Sequence, residues 1–463
     1  MARPAAVERP AVVPRRLPAG QKLAYGFGDI IVGMRMTAFQ FHLLPFYTDV
    51  VVLAPWLAGL GKMLGLVWDG VNDPITGYVS DRTLTRLGRR RPYLLGAALP
   101  MGLTFGLLWT PPAHLGALTG FLYLVLAYVL LDTFFTLYAT PYLALGAELS
   151  SDYHERTQLS AARAFFHVVG LFVGGVVPGI VIRRYTSPAT GYAVMGLAMG
   201  AFMTLVALLT GGLVREVPPA VRTPSRISWR TFAAGMTSTF RNGPFRVMIV
   251  TFALILLGGG VHQTLVPYAF RYWLGMPQRV NAVIGIYLAA SVVSLPLWTR
   301  LARRLGKDRA LRLCMLWATV ALAALPFLFA PGMSNARLAT ILVLAGLGNG
   351  GWVVLPVAIT ADIIDHDELE TAERREGAYF GVWTLVMKVA AGLASGIVGV
   401  ALQLLGYVPN VTQTATAVLG IKLLYGPVPA VFIAGAYLVF RRFPLTRERH
   451  QELQAALAAR RGA

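Results

Sequence analysis

Asp69, Asn72 and Asp73 fall within one short stretch of an apolar run, LGLVWDGVNDPITGYVSDRT at residues 64–83. Spacings of i, i+3 and i+4 place their side chains on one face of a helix. Two carboxylates and an amide are hard oxygen ligands that suit a small cation such as Na+. Without a metal ion, like-charge repulsion holds one proton between the two acids. The plainer alternative is that both acids pair with basic residues of neighbouring helices. Lys62, two turns before Asp69 on the same face, either serves the cluster as a counter-ion or extends its stem to the nearer interface.

Other charges also sit inside apolar runs, where each costs at least about 2.5–3.5 kcal/mol on insertion scales and implies a partner or a wet cavity. Lys388, in YFGVWTLVMKVAAG, has no acid beside it on its own helix. It therefore requires a carboxylate from another helix, or an anionic or polyhydroxylated ligand. Thr384, one turn earlier, is grouped with it as a candidate substrate contact. Arg35 and Asp132 lie within their runs, Asp29 lies nearer a span end, and Arg163 opens another run. Trp68, Tyr142, Trp352 and Trp383 either stack on a ligand or simply pack.

The elements that hold these residues must be membrane helices. Of the 463 residues, 56% are hydrophobic and 13% charged, and the mean hydropathy is +0.61. Soluble domains carry about 25% charged residues. Twelve runs are long enough to cross a bilayer, near 23–49, 54–79, 93–111, 118–147, 160–182, 191–214, 245–272, 280–299, 312–330, 337–362, 377–406 and 416–440. Lipid leaves a single segment only the helix as a way to satisfy its backbone.

The net charge of +20 is distributed as topology, not as a nucleic-acid footprint. Arginines such as Arg82, Arg86, Arg89, Arg90, Arg91, Arg156, Arg303, Arg304, Arg374 and Arg375 recur in alternate connections. Arg183, Arg184, Arg271, Arg279 and Arg337 are the sparse set opposite. The positive-inside rule then predicts cytoplasmic termini. The longest polar stretch divides the chain: a tail at 1–21 without a secretory h-region, a six-helix half at 22–214, a central cytoplasmic loop at 215–243, a second half at 244–441 and a tail at 442–463. RLGRRR after span two and RLGKDR after span eight form a weak repeat between the halves. Paired halves with a ligand site between them near the midplane are a known transporter plan.

A single cysteine, Cys314, rules out an internal disulfide framework and is expected to be a small packed side chain. Neither an HExxH nor a GxxxxGK[ST] pattern occurs, and no nucleophile–base pair can be assembled. The expectation is a transporter and not an enzyme, with no cofactor.

In order along the chain, KLAYGFGDI, FYTDVV, WDGVNDPITGYVSDRT, RLGRRRPYLL, ERTQLSAAR, ADIIDHDELETAERREGAYFGVWTLVMK and GYVPNVTQ resemble the glycoside-pentoside-hexuronide:cation symporter family, the melibiose-permease group of the major facilitator superfamily. The resemblance runs from about residue 22 to the end of the last span. It implies cation-coupled uptake by alternating access. It also implies a cation site at Asp69 and Asp73 with Asn72 beside them and Thr136 of helix four contributing. Lys388 matches the helix-eleven lysine near the sugar and cation sites, and Arg163 matches an arginine that follows ER-x-x-L. The family's helix-one galactoside-binding acid falls at Gly33, its helix-four acid at Ala139, and a nearby aromatic at Leu143. These losses argue against melibiose-like galactosides.

The resulting expectation is an all-α, multi-pass monomer of the cell membrane, in contact with bilayer lipid and with a small-molecule substrate, and not a partner of nucleic acid. The coupling ion is Na+ or H+, with Asp69 and Asp73 as its ligands if it is sodium. The substrate is a glycoside, pentoside or hexuronide, with a slight lean to carboxylated sugars because Arg35, Lys388 and Arg163 are cationic; the alternative is a lysophospholipid or other amphiphile. Asp132, Tyr142, Trp68 and Thr384 complete the candidate substrate site. Asp81, Arg82 and Arg89 are expected to gate the cytoplasmic end.

Overall fold

A computed structural model describes residues 17–447 except 84, 151, 217–235, 372 and 374, together with 449 and 452. The expected tail before residue 17, most of the central loop and the far C-terminal tail therefore lie outside the described residues, as does Arg374.

The described chain is helical throughout, apart from short connections. Among the described residues, nine helical stretches are long and apolar enough to cross a membrane, from Ala117–Glu148 to Ala415–Phe440. Three further expected spans are helical but differ in kind. The first is divided into Ala19–Phe27, Asp29–Ala38 and two π-helical turns, Phe39–Leu43 and Phe46–Val50. The second, Pro55–Arg82, contains Lys62, Asp69, Asp73, Asp81 and Arg82. The third, Arg91–Leu108, begins on an arginine and has 18 residues.

Helix starts follow local chemistry. Asp152, Ser187, Asn242 and Thr414 each accept a hydrogen bond from the backbone N–H three residues on. Proline opens Pro55–Arg82, Pro188–Leu213 and Pro427–Phe440, where its missing N–H costs nothing. Pro74 lies directly after Asp73 and removes one intrahelical bond from the turn that holds the acids.

Two cores form. One includes Met34, Phe39, Leu94, Phe105, Trp109, Tyr128 and Tyr138; the other gathers Phe245, Met248, Leu311, Leu355, Ile363, Tyr379 and Phe440. Leu99, Leu103, Val320, Phe327 and Val431 instead point outward, as lipid-facing side chains do. Cys314 is buried, with its thiol on the Gly348 carbonyl at 3.2 Å.

The halves meet chiefly where Pro55–Arg82 lies along Glu376–Leu404, and again where Tyr153–Ile182 meets Val280–Leu305. The first contact depends on facing glycines. A Cβ on Gly59 would stand 2.7 Å from the Ser395 carbonyl, and one on Gly399 would stand 2.4 Å from that of Pro55. Only glycine permits this backbone approach at that end.

Candidate functional site

Asp69 and Asp73 converge on Lys388, which arrives from the other half of the molecule. The ammonium Nζ is 2.8 Å from Asp69 Oδ1 and 2.5 Å from Asp73 Oδ2. It also donates to the Asp69 backbone carbonyl at 3.2 Å. Lys388 thus finds the carboxylate partner on another helix that its buried position requires. Ala117–Glu148 supplies two hydroxyls to the same acids: Thr136 donates to Asp69 Oδ1 and Thr140 to Asp73 Oδ1, both at 3.3 Å. Thr140 was not selected from the sequence, although its i+4 spacing from Thr136 repeats the Asp69–Asp73 spacing. Asn72 lies beside the cluster, with its amide 3.5 Å from the Asp132 carbonyl. The Asp69 side chain is 7% exposed and that of Asp73 34%, so the cluster has one wet edge. Among the described residues no group of three His, Cys, Asp or Glu side chains could hold a metal. Any cation bound here relies on hydroxyl and carbonyl oxygens as well as the two acids.

Arg35 and Asp132 pair with each other across helices one and four. The guanidinium is 4.1 Å from the Phe135 ring centroid and 5.1 Å from that of Phe39. Both residues are buried, and Arg35 Nε and Asp132 Oδ2 have no hydrogen-bond partner among the described residues. Lys62 takes neither of its expected roles. Buried to 3% exposure, its ammonium donates to the Phe39 carbonyl at 3.2 Å, reaching neither the paired acids nor an interface.

The remaining candidates are dispersed. Arg163 approaches Asp29 at 3.9 Å, and His167 meets the same acid at 3.2 Å. Tyr142 is fully buried, stacks between Tyr25 and Tyr138, and donates to the Tyr25 carbonyl, so its role here is packing. Trp68 donates to Thr133, and Thr384 donates to the Phe380 carbonyl of its own helix. Gly33, where the resemblance places an acid, leaves no space for one: a Cβ there would be 2.3 Å from the His167 carbonyl. At the arginine-rich end, Arg90 joins Asp81 and Glu148, Arg89 joins Glu148, and Arg82 lies over the Tyr78 ring. These contacts stay within the N-terminal half.

The opposite end carries a network that the sequence did not announce. Asp49 Oδ2 accepts from Arg271 at 2.9 Å and from the Tyr272 hydroxyl at 2.7 Å, while Oδ1 accepts from Tyr407 at 2.5 Å. Asn410 donates to the Asp49 carbonyl at 2.6 Å and accepts from Arg271 at 2.8 Å. Nearby, Thr48 and Tyr268 share a hydrogen bond of 2.8 Å. Asp49 closes the first span of one half; apart from the adjacent Thr48, which donates to Oδ1 at 2.7 Å, the partners named here belong to the other half. The two halves are therefore tied together at this end, beside the Gly59–Gly399 contact.

This arrangement has known relatives. The chain matches the family model described as MFS/sugar transport protein over residues 24–447. It belongs to that family. The names of its relatives, among them an isoprimeverose transporter of Lactiplantibacillus pentosus at 25% identity over 90% of this chain and 86% of that protein, agree with the glycoside-pentoside-hexuronide:cation symporter family. At 25% identity it is similar to a putative glycoside/cation symporter of Escherichia coli, covering 97% of this chain and 96% of that protein. At 25% identity it is also similar to the sodium-dependent lysophosphatidylcholine symporter 1-A of Danio rerio, covering 94% and 88%. Among solved structures, the inward-open xylose transporter of E. coli superposes with a TM-score of 0.66 at 15% identity, covering 94% and 98%. That likeness establishes the major facilitator fold of a multi-pass membrane protein.

Proposed function

We propose that this family member is a cation-coupled symporter that works by alternating access, with twelve spans and both termini in the cytoplasm of a cell membrane. The observation that carries this reading is Lys388 of one half held between Asp69 and Asp73 of the other. Two carboxylates around one ammonium leave a negative charge over, and the adjoining Arg35–Asp132 pair, itself neutral, does not change that balance. A site with one uncompensated charge beside a wet edge attracts one monovalent cation. Sodium is favoured over a proton because Thr136 and Thr140 add neutral oxygens that a proton does not need. The ion takes Asp73 from the Lys388 ammonium, which keeps Asp69, so the site becomes neutral and the tie between the halves weakens; the halves then rock about the site. Closure at the Asp49 end supports an inward-facing state, and the protein works as a monomer.

The substrate is a glycoside in this reading. Support comes from the family description, from the name of the E. coli relative and from a cavity beside the helix of Lys388 whose mainly apolar wall carries several uncharged polar side chains. The lysophospholipid alternative is favoured by one observation. A lipid-facing apolar groove of about 700 Å³, lying between Lys307–Leu328 and Asn335–Thr371, shares Ala321, Leu325 and Ala345 with that cavity.

Accumulation in proteoliposomes under an inward sodium gradient tests the coupling. Wild-type protein should accumulate substrate with sodium and not with choline, and Asp73→Asn should abolish the difference. Sodium-driven accumulation by Asp73→Asn at the wild-type level would end the proposed role of the paired acids.

A further inference from the structure

A cavity of about 230 Å³ opens where the two halves meet, lined mainly by the C-terminal half. None of its lining side chains is an acid, a lysine or an arginine. Its polar equipment consists of the Gln263 carboxamide, the Tyr287 hydroxyl, the Asn349 carboxamide and the Trp352 indole, with Gln40 and His262 at its margins. Gln40 and His262 are engaged, with Thr264 and with the Tyr425 carbonyl respectively. Asn349 donates to Ser291 at 3.1 Å and keeps its carbonyl oxygen available. Gln263, Tyr287 and Trp352 are half-buried, and none of their side-chain polar groups has a hydrogen-bond partner among the described residues.

Uncommitted donors and acceptors are unfavourable inside a membrane protein unless water or a ligand meets them. Together these groups offer both donors and acceptors, as a ligand with several hydroxyls demands, and an indole gives its apolar face a flat surface. The absence of a formal charge makes the complementary ligand neutral. The volume is below the roughly 300–1,000 Å³ of drug-sized pockets, which suits one sugar ring better than an acyl chain. Met387 and Ala391 also line the cavity. They flank Lys388 on its helix, so a ligand seated here touches the element whose ammonium gives up Asp73 when the cation binds.

We infer that Gln263, Tyr287, Asn349 and Trp352 form the subsite for the ring of a neutral glycoside. This rests on the symporter reading and narrows its substrate: the lean toward carboxylated sugars finds no cation in the cavity, because Arg35 and Lys388 are committed to Asp132, Asp69 and Asp73.

The test is calorimetric titration of the purified full chain in sodium. The ligands are methyl hexosides and pentosides, the matching methyl glucuronide and galacturonide, and lysophosphatidylcholine. At least one neutral glycoside should bind, and Gln263→Ala and Trp352→Phe should each weaken it tenfold or more. Both variants should retain the wild-type sodium-induced thermal shift, which shows that they fold and keep the cation site. Uronide or lysolipid binding in place of neutral glycosides overturns the inference, as does failure of every neutral ligand or indifference to both substitutions. A wild-type protein that shows no sodium shift instead defeats the symporter reading itself.

Discussion

Replacing Asp49 with asparagine should loosen the end of the molecule at which the halves are tied. The carboxylate accepts three bonds from the opposite half, from Arg271, Tyr272 and Tyr407. Hydrogen bonds to a charged group contribute about 1.5–3 kcal/mol each. The Arg271 side chain is 44% exposed, so its bond belongs at the low end, and an asparagine oxygen still accepts some of the donors. A loss of about 3 kcal/mol is a reasonable expectation, which shifts a two-state equilibrium by roughly 150-fold. Spin labels at Trp56→Cys and Leu404→Cys, in a Cys314→Ala background, report on this end. Both sites are exposed, at 43% and 81%, and they lie on the two helices that meet through Gly59 and Gly399. Pulsed dipolar spectroscopy should find one short distance in the parent and a second, longer population in Asp49→Asn. Identical distributions would refute the idea that this network holds the halves together.

Three further outcomes are expected. Arg35→Met or Asp132→Leu alone strands a buried charge and should cost about 3–5 kcal/mol, whereas the double variant should lose less than the two together; thermal melting of all three checks this, and additive losses contradict it. Gly33→Asp should lower the melting temperature sharply or prevent expression, because its Cβ alone would stand 2.3 Å from the His167 carbonyl; wild-type stability would show that the helices can part there. Thr140→Val removes one hydroxyl from Asp73 and should weaken the sodium midpoint of thermal stabilisation by roughly three- to tenfold, from a hydrogen bond of about 0.5–1.5 kcal/mol.

The sequence revealed most where periodicity and chemistry agreed within one helix. Asp69 and Asp73 share a face because helical spacing alone requires it, and Lys388 needed a distant carboxylate because nothing on its own helix could serve. Partnerships between helices were less visible. Arg35 and Asp132 stood out as buried charges assigned to a pocket, yet no spacing could reveal that they neutralise each other across helices one and four. Lys62 likewise offered two roles by position, and the backbone carbonyl it uses belongs to the π-helical turn after Ala38, which no side-chain pattern announces. The Asp49 network had a faint trace in the sequence: an acid at the end of the first span, and Arg271 among the few basic residues on that side. Joining them required the packing of the two halves, because Asp49 and Arg271 stand 222 residues apart in the chain.

Coordinates determined at saturating sodium test the central claim most directly, because ion and ammonium are held to compete for the same oxygens. The account predicts an ion ligated by Asp69 and Asp73, with Thr136 and Thr140 alongside, and Lys388 Nζ withdrawn from Asp73. Lys388 still bridging both carboxylates, with no ion between them, would contradict it.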